Sequence, residues 1–188
     1  MYDSKIEMPY KDLSPNFVCR NSVYIMDEIT NVNCSRLIAD IREAIEIAQM
    51  STKQIEFIIN SPGGDAYMCK SILAMMKLAN KNNIATTSYV VGLAGSSASI
   101  IAIAANTRYI SKDAEFYIHY GTIGNESYHP TENERNYRHT KQFHEWIKQQ
   151  YLQYTKIPET RLNEILEHES GYITAKEALK YKFVDSIF

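Results

Sequence analysis

Cysteine is scarce in this chain: three in 188 residues, Cys19, Cys34 and Cys69, an odd and scattered set with no CxxC pair. Such a set points to reduced thiols in a cytoplasm rather than to a disulfide framework. A surplus of positive charge is also missing. Twenty Lys and Arg stand against 22 Asp and Glu, a formal net charge of −2, which gives no electrostatic reason to expect nucleic acid or an anionic membrane as partner. No apolar run approaches the roughly 18 residues of a membrane span, and no early basic stretch leads into a signal-like apolar core. GxxxxGK[ST] is absent, so no P-loop for a nucleotide is expected. GxSxG is absent, which argues against an α/β-hydrolase elbow. His139 and His144 are five apart rather than the four that put two ligands on one helix face, so neither a metal nor any cofactor is expected. Asn33-Cys34-Ser35 and Asn125-Glu126-Ser127 match the glycosylation pattern by chance on this reading. There are no repeats, low-complexity tracts or linkers, and one domain over residues 1–188 is expected.

What is present reads as alternating strands and helices. Arg20–Met26, Ile55–Ile59 and Ala85–Val91 have strand character, and Tyr109-Ile110, Phe116–His119 and Phe183–Ile187 are shorter candidates. Helical spacing places Leu37, Ile38, Ile41, Ile45 and Ala48 on one face of a helix over Cys34–Met50. Further helices are predicted at Tyr67–Asn80, Ser97–Ala105, His139–Tyr154, Pro158–Glu169 and Ala175–Lys182, with a polar excursion over Gly121–Tyr137. Repeated strand–helix units imply an α/β protein with a largely parallel sheet and right-handed crossovers.

Two of these units break into glycines between strand and helix: Asn60-Ser61-Pro62-Gly63-Gly64 and Gly92-Leu93-Ala94-Gly95-Ser96. A strand that ends this way leaves backbone N–H groups pointing at one spot. A serine at the mouth of the second helix is where a nucleophile would sit. The bland alternatives are an ordinary turn for Pro62–Gly64 and a helix cap for Ser96, with Ser97 and Ser99 as competitors. His119 closes an apolar strand, where a lone histidine is usually structural or incidental, and His129, His139, His144 and His168 lie in polar segments and read as solvated.

Order and spacing lift the joint reading. Ile59–Gly64, Gly92–Ala98, Phe116–His119 and Tyr172–Asp185 together resemble the motifs of the proteolytic subunit (ClpP) family of Clp serine peptidases, over roughly residues 20–188. The resemblance implies a crotonase-like spiral of ββα units with a projecting handle helix, here about residues 120–155. It also implies heptameric rings, single or stacked as a tetradecamer, that enclose a chamber where unfolded or short polypeptides are cut, with an ATP-dependent AAA+ unfoldase supplied in trans. By position, Ser96 takes the nucleophile's place, His119 the base's, and the N–H groups of Gly64 and Ser97 the oxyanion hole.

Several positions depart from the family pattern. Ser97 stands where methionine is usual, Tyr120-Gly121 where Gln-Pro is usual, and residues 1–19 lack the recognisable chaperone-docking segment. The acid's place is held by Ser170, with Glu169 next to it as the rival. The expectation is thus a cytoplasmic or phage-associated serine endopeptidase, slowed by Ser170, without cofactor, nucleic-acid or membrane partner. The alternatives are a catalytically impaired ring subunit, an acyl-CoA enzyme of the wider crotonase superfamily, and a relative acting on membrane or capsid proteins.

Overall fold

The computed structural model describes residues 16–19, 21–121, 130–168 and 171–188. Its centre is an eight-stranded sheet. β1 (Asn16–Cys19) pairs antiparallel with β2 (Ser22–Ile25), and from β2 the sheet runs parallel through β3 (Gln54–Ser61), β4 (Ala85–Gly95), β5 (Thr107–Ile110) and β8 (Ser186–Ile187). β4 is long enough to serve two neighbours. Its first half, Thr87–Val90, pairs with β5, and its last residues, Leu93–Gly95, pair with β6 (Glu115–Tyr117). β6 then takes β7 (Tyr172–Thr174) antiparallel on its other side.

Helix α1 (Asn31–Met50) carries its predicted apolar stripe into the core, with Leu37, Ile41, Ile45 and Ala48 buried. It starts three residues earlier than the stripe because Thr30 and Asn33 close a reciprocal cap, Asn33 N–H to Thr30 Oγ1 at 3.3 Å and Thr30 N–H to Asn33 Oδ1 at 2.9 Å. Asn33 is thereby engaged as a helix cap. α2 (Ala66–Lys81) begins at Asp65, whose carboxylate accepts from the N–H of Tyr67 and Met68. α3 (Ser96–Ile103) is apolar on nearly every side and buried from Ser97 onward, as its composition predicted.

The excursion predicted over Gly121–Tyr137 is corrected in its second half: Pro130 opens α4 (Pro130–Tyr154). This turn has no apolar stripe to betray it. It rests on proline at the first helical position, Glu132 in the first turn and an Arg138–Glu134 pair at 3.2 Å. Residues 122–129 lie outside the described set. α5 (Glu159–His168) and α6 (Ala175–Lys180) complete the chain, the latter capped by a Thr174–Glu177 box.

The C-terminal motif has a visible structural task. Arg108 on β5 grips Asp185 through Nη2 to Oδ1 at 2.9 Å and Nε to Oδ2 at 3.2 Å, and its Nη1 donates to the carbonyls of Tyr154 and Lys182. Burial works to raise the Asp185 pKa, but the Arg108 bonds outweigh it and hold the carboxyl below its ordinary range. One guanidinium thus ties β5, the end of α4 and the C-terminal segment together.

Candidate active site

Asn60, Ser61 and Gly63 of the first glycine motif shape the turn that leaves β3. β4 bulges between the pairs Ile59↔Val90 and Ser61↔Ala94, and Asn60 Oδ1 accepts the Leu93 N–H at 3.0 Å across that irregularity. Ser61 Oγ donates to the Asp27 carbonyl at 2.6 Å and accepts from Gly63 N–H at 3.1 Å. The turn then lies flat on the second motif. A Cβ on Gly63, whose φ is +94°, would stand 2.7 Å from Ser96 Cβ and 2.8 Å from Ser97 N. Only glycine allows that approach.

The second motif is strand up to Gly95, because β6 pairs with Leu93–Gly95. Gly95 is the helix cap and lends no side chain to it, so neither Ser96 nor Ser97 fills the capping role. The three competing serines part company here. Ser97 Oγ is buried and donates to the Gly64 carbonyl at 2.8 Å; Ser99 Oγ is buried and donates to the Ser96 carbonyl at 2.6 Å. Ser96 is half-buried, has φ +47°, lines the cavity, and its hydroxyl makes no hydrogen bond among the described residues. A positive φ on a residue with a side chain is backbone strain of the kind found at functional sites.

The two expected oxyanion donors sit on the clamped pieces. Gly64 N–H bonds no acceptor among the described residues, and Ser97 N–H lies in the first turn of α3, where no intrahelical acceptor exists. The Ser97 Oγ–Gly64 carbonyl bond ties the two donor residues to each other. Ser97, which differs from the family's methionine, is therefore a strut between the two motifs.

His119 follows β6 and lines the same cavity of about 880 Å³ as Ser96, Gly64 and Ser97. No hydrogen bond joins it to Ser96. Its Nδ1 accepts the Gly121 N–H at 3.1 Å, which leaves the proton of the neutral ring on Nε2. Burial holds its pKa below the ordinary histidine value. Tyr117 packs against it at 5.1 Å between ring centroids, and Tyr172 packs on Tyr117 at 4.7 Å. Ser170 and Glu169 lie outside the described residues. Their neighbour Gly171 accepts the Ile118 N–H at 2.8 Å, directly beside His119 in sequence.

Two histidines read as solvated are engaged. His144 stacks on Tyr120 at 4.5 Å with Nε2 buried, and His139 Nε2 meets Tyr67 hydroxyl at 3.0 Å on the rim of the cavity. Sequence reasoning missed the cavity's far wall, which α4 supplies through Phe143, Trp146, Ile147 and Tyr151, with Ile100 of α3 between. Lys70 Nζ sits 4.5 Å from the Trp146 ring centroid and binds α2 to that wall. The aromatic spacing in 143–151 was a usable signal, but apolar residues at helical spacing look the same whether they meet core or substrate.

A glycine turn pressed on a strained serine elbow, with free N–H groups and a histidine on one cavity, has the layout of a serine-type hydrolase. The Clp protease family model matches residues 7–188, and the chain belongs to that family. Membership supports a peptidase of the serine class in general. Among the described residues no helix is long and apolar enough to cross a membrane.

Proposed function

We propose that this chain is a ClpP-like serine endopeptidase subunit. The observation that carries the reading is the packing of Pro62-Gly63-Gly64 against Ser96-Ser97, which gathers an unengaged hydroxyl and two N–H donors at one cavity that His119 also lines. In the reaction Ser96 Oγ attacks a peptide carbonyl while His119 Nε2 takes its proton. The same proton then passes to the leaving amine, and water completes hydrolysis of the acyl-enzyme. The developing oxyanion is held by Gly64 and Ser97 N–H, an effect worth about 3–4 kcal/mol per donor in another serine protease.

For Nε2 to act as base the ring proton must sit on Nδ1, so the Gly121 N–H contact gives way and Ser170 accepts the Nδ1–H in its place. Ser170 orients the ring without the charge of an aspartate, hence a slow enzyme; Glu169 is the rival. The aromatic and aliphatic wall from α4 suits large apolar peptide side chains. Family members generally form rings with AAA+ partners, and we extend to this chain the crotonase-like spiral, α4 as handle, residues 1–188 as one domain, a heptameric or doubled ring, polypeptide substrates and a cytoplasmic setting. The test is hydrolysis of a short fluorogenic peptide by the assembled protein. Wild type should cleave it and both Ser96→Ala and His119→Ala should not, and Ser96→Ala should keep its melting temperature within about 5 °C, since the lost hydroxyl caps nothing. Cleavage that survives in folded Ser96→Ala would overturn the reading.

A further inference from the structure

Next to the nucleophile's own carbonyl lie two hydroxyls to which the hydrolytic steps give no task. Ser99 follows Ser96 by one turn of α3, Tyr151 comes from the last turns of α4, and both are fully buried. Ser99 Oγ donates to the Ser96 carbonyl at 2.6 Å and lies 2.7 Å from the Tyr151 hydroxyl. A serine has one proton, so with it on the Ser96 carbonyl the phenol is the donor in the second bond. Burial raises the Tyr151 pKa far above its ordinary value, the Ser99 bond acting the other way, and the donor keeps its proton.

Space-filling does not require this pair. Alanine and phenylalanine would fill the same volume with no polar atom to satisfy, whereas two buried hydroxyls are tolerable only when bonded. What the pair reaches is one atom, the carbonyl of the residue that bears the nucleophile. That residue holds φ +47°, a conformation that persists only where its surroundings over-determine it. Gly63 packs against its Cβ; the Ser99 hydroxyl holds its carbonyl from within α3, and the Tyr151 hydroxyl backs Ser99 from α4.

Resting on the peptidase reading above, we propose that Tyr151 and Ser99 are positioning residues, a phenol-to-hydroxyl-to-carbonyl relay that holds the Ser96 elbow in its reactive orientation and ties it to α4. The test compares Tyr151→Phe, Ser99→Ala and the double variant of the full chain, reading kcat and KM on the peptide and the limiting rate of fluorophosphonate labelling. Either single variant should lower kcat and the labelling rate about tenfold with KM moved less than about twofold. The double variant should be no slower than the slower single, because one relay is cut twice. Tyr151→Phe keeps the ring packed on Phe183 at 6.0 Å, and Ser99→Ala gives a second route if the first variant is poorly folded. Lowered melting temperature with unchanged kcat and labelling rate would show a packing role and overturn the proposal, as would additive losses in the double variant. A wild-type chain that does not label at Ser96 would instead remove the peptidase reading itself.

Discussion

Gly63→Ala tests how the site is held. A Cβ at this position would stand 2.4 Å from the Gly95 carbonyl oxygen, 2.7 Å from Ser96 Cβ and 2.8 Å from Ser97 N, with φ at +94°. The left-handed backbone costs about 1–2 kcal/mol for any residue with a Cβ. Parting backbone groups that lie this close costs about 1–3 kcal/mol more, as overpacking does elsewhere. The total, about 2–5 kcal/mol, is smaller than or comparable to the ~5–15 kcal/mol stability of an ordinary domain, so the variant folds with less margin. Activity should suffer more than stability. The relaxation moves the turn off the Ser96 elbow and spreads the two N–H donors, and a displacement of about 1 Å at a reacting group costs on the order of 10² in rate. The assay pairs a urea midpoint with the second-order rate of fluorophosphonate labelling. A lowered midpoint with labelling slowed about 100-fold is expected. An alanine variant that labels as fast as wild type would refute the view that this contact sets the nucleophile.

Three further outcomes follow from the same geometry. Burial depresses the His119 pKa, so the neutral base persists to lower pH and the acid limb of kcat/KM should fall below the usual histidine value of about 6.5. By linkage the unfolded chain takes up that proton first, so this contribution to stability is complete above about pH 6.5 and is lost as pH falls through the folded value; an acid limb above about pH 7 would contradict this. Arg108→Ala removes the Asp185 pair and two carbonyl bonds, and should cost about 2–3 kcal/mol once the ion pair is discounted for the exposure of Asp185, read as a denaturation midpoint. A loss below about 0.5 kcal/mol would dismiss that hub. Ser170→Asp should raise kcat/KM towards the about 10⁴ that the correct acid is worth in another serine protease, while Glu169→Gln leaves it nearly unchanged; collapse in Glu169→Gln without gain in Ser170→Asp would make the glutamate the acid.

The sheet was legible because β-branched runs such as Ile55–Ile59 keep their period whatever surrounds them, and the paired glycine motifs marked the site for the same local reason. The Ser97 strut to Gly64 was not legible, since a bond between positions 33 residues apart leaves no local pattern. Nor was the start of α4, where residues 131–137 are mostly exposed and lack an apolar stripe. Which of the Ser96, Ser97 and Ser99 hydroxyls already have acceptors was not legible either, because side-chain partners are fixed only in the folded chain. The Gly121 contact with His119 Nδ1 is visible only in three dimensions, and it sets the tautomer from which any catalysis must begin.

The most direct measurement is mass-spectrometric mapping of the fluorophosphonate adduct on the native assembled protein. A single adduct on Ser96 is the predicted result, absent from Ser96→Ala and retained, though slowed by loss of the strut, in Ser97→Ala. No adduct on the folded protein, or an adduct that moves with Ser97 or Ser99, would contradict the assignment of Ser96 as nucleophile.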